Sequence, residues 1–281
     1  MGLSWQQGPL AGVSVGRFLT DVPLPARLLY AEPARRRLRV RFSDDWIADS
    51  EDVVLLHEPG RYPVAYFAIS DVRPEALEPT ERITVHRDLG PTAWYTVRGH
   101  REAQRAAWAH THLPEHATLL RDRVAFAWRA MDAFYDEDER IVGHAPDNYH
   151  RIDIRRSSRH LMVRAGTGVI ADTTTPVVLY ESGFAPRWYV QRGDVDGTAL
   201  NPSRTTTFCP YKGSAAYYDI AGRSDAAWYY RDPFSEAAGI DDLVSFDPEK
   251  LEVFLDDRRL LPQPGQHVVA HGGDRNLQVG G

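Results

Sequence analysis

A single cysteine, Cys209, in 281 residues leaves no partner for a disulfide within the chain and fits a reducing compartment. Lysine is almost missing: only Lys212 and Lys250 stand among 33 basic residues. Acid exceeds base, for a net charge of -6, and nucleic acid is therefore not an expected partner, since phosphate binding needs a basic face. Apolar runs fall far short of the roughly 20 residues that cross a bilayer. The start of the chain lacks the basic, apolar and small-residue order of a secretory signal, which makes the expected location cytoplasmic, away from membranes. Phosphate loops, GxGxxG turns, GxSxG elbows and HExxH helices are absent too, which removes the main motif-defined enzyme classes.

What the chain does have is a duplication. Trp46-Ile47-Ala48-Asp49-Ser50, followed by Val54-Leu55-Leu56-His57-Glu58, returns about 120 residues on as Val169-Ile170-Ala171-Asp172-Thr173 with Val178-Leu179-Tyr180-Glu181. The parallel runs on through Asp71-Val72 and Asp194-Val195, Ala107-Trp108 and Ala227-Trp228, and Ala125-Phe126 and Ser245-Phe246. Regular spacing over such a length means two copies of one structural unit. They diverge most where His86-Arg87-Asp88-Leu89-Gly90 faces Cys209-Pro210-Tyr211-Lys212-Gly213. The expectation is that the first copy is degenerate and the second keeps a site.

Apolar residues recur with period two, the mark of half-buried strands. Gly166-Thr167-Gly168 reads as a hairpin turn, and the Cys-Pro-Tyr-Lys-Gly segment as a turn between Thr205–Phe208 and Ala215–Ile220. Leu243–Phe246 and Leu251–Leu255 read as a closing hairpin, and Pro233 to Gly239 as the one clear helical turn. Gln104 to His112 has a helical look, but its match to Ala226-Trp228-Tyr230 argues for strand. The predicted organisation is an arm over 1–34, a first β domain over 35–143, a linker over 144–159, a second β domain over 160–262 and a tail over 263–281.

The chemistry-bearing candidates gather at the second turn. Cys209 beside Lys212 has the setting of an activated nucleophile, although an isolated cysteine is also among the residue types most often buried. Tyr180, Trp188, Tyr189, Tyr217, Tyr218, Trp228, Tyr229 and Tyr230 fall on both faces of their strands, so they serve as core and cross-strand packing or, in part, as the lining of a pocket. Such a pocket, with Arg187, Glu181 and Lys212 at an exposed rim, suits a small polar or anionic molecule. Thr207, Tyr189, Trp228 and Arg187, with Tyr149 and His150 from the linker, are the expected ligand-binding residues. Cys209 and Lys212 are the candidates if catalysis occurs there. His110, His112 and His116 form the only local histidine cluster, and with one cysteine no metal site and no cofactor are expected.

The blocks Tyr149-His150-Arg151-Ile152-Asp153, Ser157-Ser158-Arg159-His160, Tyr180-Glu181-Ser182-Gly183, Pro186-Arg187-Trp188-Tyr189 and Cys209-Pro210-Tyr211-Lys212-Gly213 together resemble the tandem form of the bacterial domain-of-unknown-function family number 427. That family is filed under a nucleotidyltransferase-like heading, which is not an activity. The resemblance implies two tandem antiparallel β-tent-like domains, mainly β, each with one short helix. It also implies a metal-free member of a fold in which four cysteines often hold zinc. Function follows from sites and not from folds. The reading is thus a small-molecule-binding protein, with an enzyme acting through Cys209 or Lys212 and a protein-interaction module as alternatives.

Overall fold

The computed structural model describes residues 27–59 and 61–262, with Leu19, Asp21, Pro23 and Pro25. The expected arm up to residue 26 lies mostly outside these residues, and the tail 263–281 wholly outside. The chain divides into two compact units, the boundary falling between Tyr149 and His150. Each unit is mainly β and carries two antiparallel sheets, one of seven strands and one of four. Among the described residues no helix is long and apolar enough to cross a membrane.

In the second unit the large sheet runs, in spatial order, Ile152–Arg156, Val177–Glu181, Arg187–Val190, Val244–Phe246, Arg223–Tyr230, Gly213–Ile220 and Asn201–Cys209. The small sheet runs Gly168–Thr173, Leu161–Ala165, Glu252–Leu255 and Arg258–Arg259. The first unit repeats both orders, with Tyr30–Pro33 at the edge of its large sheet and Leu77–His86 at the far side. Glu102–His110 is a strand, in line with the internal match and against its helical look.

Alternation explains the packing. Leu38, Val40 and Phe42 are buried while Arg39 and Arg41 between them are half-exposed, as a strand with one covered face requires. The large sheet is covered on both faces. In the second unit Val190, Tyr218, Ala227 and Phe246 pack toward Leu161, Val163, Val253 and Leu255 of the small sheet. Their strand neighbours Tyr189, Tyr217, Trp228 and Tyr230 form a separate cluster on the other face, closed by Ala237 and Ile240 of the 3-10 turn Ser235–Ile240. The aromatics are numerous because they fill two cores.

Three expectations need correction. Val244–Phe246 and Glu252–Leu255 are not a hairpin: the first pairs within the large sheet and the second within the small one. Their aromatic and aliphatic side chains meet across one core, which the shared spacing imitates. The expected linker 144–159 contains Ile152–Arg156, an edge strand paired with Val177–Glu181. It is anchored by packing, since a Cβ added to Gly239 of the 3-10 turn would stand 2.9 Å from Ile154 Cγ2. Likewise Tyr30–Pro33, placed in the arm, pairs with Val53–His57.

Phe42 is fully buried at the end of its strand. Phe42→Ala should therefore cost the first unit about 3–5 kcal/mol through lost burial and the cavity left behind. Denaturant unfolding followed in that unit checks this, and a loss below about 1 kcal/mol would show that the ring is not core.

Candidate functional site

Glu181 ends its strand and turns back through Gly183, whose φ of 78° suits glycine, with Phe184 N–H donating to the Glu181 carbonyl at 3.0 Å. The side chain stays behind, only 8% exposed. A carboxylate in that position must be paired, because taking it from water costs several kcal/mol. Two residues from distant parts of the unit do so. Lys212 Nζ donates to Oε2, and His150 Nε2 lies 3.2 Å from Oε1.

The turn that carries Lys212 is built for this purpose. Cys209 and Gly213 are opposite partners at the end of a hairpin, and Gly213 has φ of 92°, a conformation that side chains resist. Lys212 N–H donates to the Cys209 carbonyl at 3.3 Å, and Phe234 N–H to the Lys212 carbonyl at 3.3 Å. The turn is thus held on both sides. Tyr211 stacks flat on His150, ring centres 3.5 Å apart and 6° from parallel, which fixes the imidazole against Glu181.

Below this network lies the aromatic cluster. Tyr189 is 1% exposed, and its hydroxyl takes a hydrogen bond from Trp228. Arg187 Cζ stands 5.5 Å from the Trp228 ring centre, a cation–π contact. Cys209 packs against the same cluster. Thr207 points to the same face of its strand, where its hydroxyl meets Tyr217 Oη at 2.9 Å. Tyr149 belongs to the first unit, where its hydroxyl reaches Glu32 at 3.2 Å and its ring lies against Tyr30 and His57.

The electrostatics follow from burial and pairing. Burial pushes the Glu181 carboxyl up, but His150 and Lys212 outweigh it and hold it down at about 2. Burial would lower the Lys212 ammonium, yet Glu181, with Cys209 and Tyr189 adding to it, raises it. Burial pushes Tyr189 up to about 12. Lys212 is therefore a buried ammonium in an ion pair. It is not the exposed rim residue that the sequence suggested, because the turn folds inward onto the carboxylate.

The first unit holds a network of its own at the matching place. Glu58 follows its strand as Glu181 ends the matching one, and is equally buried. Leu89 takes the place of Lys212 and packs in an apolar cluster, so the countercharge comes from elsewhere. Arg27 Nη2 donates to Glu58 Oε2 at 3.0 Å while its Nε donates to Asp88 at 2.7 Å. His86, in the position of Cys209, supplies the rest. Its Nδ1 accepts from Asp88 N–H and Leu89 N–H, so its proton sits on Nε2, 3.2 Å from Glu58. Trp108 Nε1 donates to the Tyr66 hydroxyl at 3.1 Å, and that hydroxyl meets His110 Nε2 at 3.0 Å. Burial, with His86 nearby, lowers His110 to about 4.

Both units thus hold a buried glutamate beside a tyrosine fixed by a tryptophan. The model for the family described as Domain of unknown function (DUF427) matches residues 30–137 and 153–257. The chain belongs to that family. Both units are DUF427 domains, and each match falls within one unit. Among curated proteins no match is found. Sequence reasoning missed the DUF427 pair Glu58 and Glu181 as the centre of each site. The signal was present, since an acidic residue closing an apolar strand recurs in both copies. Among the described residues no group of three or more His, Cys, Asp or Glu side chains is arranged to hold a metal ion. His110, from the histidine cluster, is committed to Tyr66 and Thr92.

The two sites should lose stability to acid in different windows. His110 has a lowered folded pKa, so its contribution is intact above about 6.5 and lost as pH falls toward about 4. Glu181 is likewise lowered, from 4.5 to about 2, and its contribution is lost only over that lower range. Unfolding of each unit, followed between pH 8 and pH 2 (roughly the range these shifts span), should show the first unit weakening earlier. Coincident acid profiles would contradict this assignment.

Proposed function

We propose that the second domain binds a small polar or anionic molecule over the Glu181–Lys212–His150 network. The carrying observation is that an ammonium, a carboxylate and an imidazole are buried together on an aromatic floor. Buried ion pairs are a poor device for stability, and well-packed apolar residues commonly do as well or better. Strongly perturbed charges gathered in one place are, by contrast, typical of functional sites. Lys212 and His150 supply donors for a ligand oxygen, Glu181 keeps both oriented, and Tyr189 and Trp228 provide the flat apolar wall. An anionic group would draw Lys212 partly from Glu181, so a ligand with both a negative oxygen and a hydrogen-bond donor fits best.

Catalysis is the second reading, favoured by one feature. Cys209 packs on the aromatic cluster at the end of the hairpin whose turn carries Lys212, and acyl or group transfer through its thiol is the corresponding reaction class.

Thermal-shift measurement against small carboxylates, phosphates and amines tests the binding reading. A ligand at 100 times its Kd stabilises the fold by about 2.7 kcal/mol. The double variant Lys212→Met/Glu181→Leu keeps the site filled and uncharged, and should remain folded while losing that stabilisation. Equal ligand shifts in both proteins would overturn the proposal. Alkylation of Cys209 no faster than that of a free thiol would dispose of the catalytic reading.

A further inference from the structure

The two domains also differ at the far end of the small sheet. In the first domain that end is solid. Phe42 is fully buried, Arg101 lies over its ring at 4.1 Å, and Arg101 N–H donates to Ser43 Oγ at 3.3 Å. Arg101 also bonds Asp132. The fit is tight enough that a Cβ added to Gly99 would stand 2.5 Å from Ser43 Cβ.

In the second domain the register puts Ala165 where Phe42 stood and Gly166 where Ser43 stood. The ring and the hydroxymethyl group are gone. A Cβ added to Gly166, or to Gly222 in the facing turn, would meet nothing within 4 Å. Beside Gly166 lies a cleft of about 410 Å³, within the range of small-molecule sites. Its walls carry Arg164, Arg223, Lys250 and Arg259 against only Glu249 and Glu252. The protein as a whole is acidic, so this is a local reversal of charge.

Part of that charge is already paired. Lys250 Nζ donates to the Asp225 carbonyl at 3.1 Å and lies 3.5 Å from Asp247. Arg259 lies 3.6 Å from Glu252. Arg164 is different: its Nε–H is shielded from water and has no hydrogen-bond partner. A shielded donor without an acceptor costs about 1–3 kcal/mol. An oxyanion taken side-on by the guanidinium satisfies such a donor with two parallel, charge-assisted bonds.

We propose that this cleft is a second binding site, separate from the Lys212 network, for a phosphate monoester of a small polyol. The phosphate meets Arg164 and Arg223, both of which line the cleft. Glu249 and Glu252 accept hydrogen bonds from hydroxyls of the remainder. A bare phosphate leaves most of the volume unfilled and makes no use of the carboxylates.

Calorimetric titration of the full chain with ribose 5-phosphate, inorganic phosphate and ribose, in buffer free of other oxyanions, tests this. The expected order is ribose 5-phosphate tightest, inorganic phosphate at least about tenfold weaker, and ribose without measurable heat, since one satisfied charge-assisted contact is worth roughly a factor of ten or more. The exposed pair Arg223→Ser/Arg259→Ser, both lining the cleft, should weaken ribose 5-phosphate at least tenfold. Lys212→Met/Glu181→Leu should leave this binding unchanged, so failure here is distinguishable from failure of the other site. No heat with ribose 5-phosphate overturns the proposal. So does equal affinity of wild type and the cleft variant, the mark of an adventitious ion only.

Discussion

A carboxylate buried where the second strand of the large sheet ends is the constraint on which the rest of each domain depends. Glu58 and Glu181 sit at matching positions, each shielded from water, and neither is tolerable alone. Each domain must therefore bring charge to that place. The second does so with Lys212 at the tip of one hairpin and His150 at the start of its edge strand. The first does so with His86 at the matching hairpin and Arg27 ahead of its edge strand. The same two regions of the fold answer the same need with different residues. The turn fixed by Gly213, the stack of Tyr211 on His150 and the bond from Phe234 to the turn all serve to hold the charges in register.

Local pattern carried much of this into the sequence. Period-two alternation marks half-buried strands, which Leu38–Phe42 and Leu161–Ala165 are, and the duplication implies one order for both copies. The match of Ala107-Trp108 to Ala227-Trp228 gave the right answer for Glu102–His110 where residue propensity pointed to helix. The failures were of another kind. The Val244–Phe246 and Glu252–Leu255 strands look like a hairpin because adjacency in sequence usually means adjacency in a sheet, yet the chain changes sheets between them. Ile152–Arg156 looked like a spacer because an edge strand carries charge on its open side. The inward turn of Lys212 was invisible because its cause, Glu181, lies 31 positions away in the chain.

Divergence between the copies is likewise more than loss in one of them. At the hairpin tip Cys209 and Lys212 replace His86 and Leu89, so a network with two imidazoles becomes one with a thiol and an ammonium. At the far end of the small sheet Ala165 and Gly166 replace Phe42 and Ser43, and a basic cleft lies beside Gly166. The first domain has invested its site in a neutral His110 tied to Tyr66 and Thr92, which leaves little freedom for a ligand to recruit it. The second has kept charge at both ends.

The central claim is that Glu181 and Lys212 are held to each other and are costly apart. A double-mutant cycle on unfolding of the second domain, comparing Glu181→Leu, Lys212→Met and both together, measures this directly. Each single change strands a buried charge and should cost about 3–5 kcal/mol, while the double variant, which strands none, should recover most of that loss. Costs that simply add, or a single variant as stable as the parent, would contradict the account.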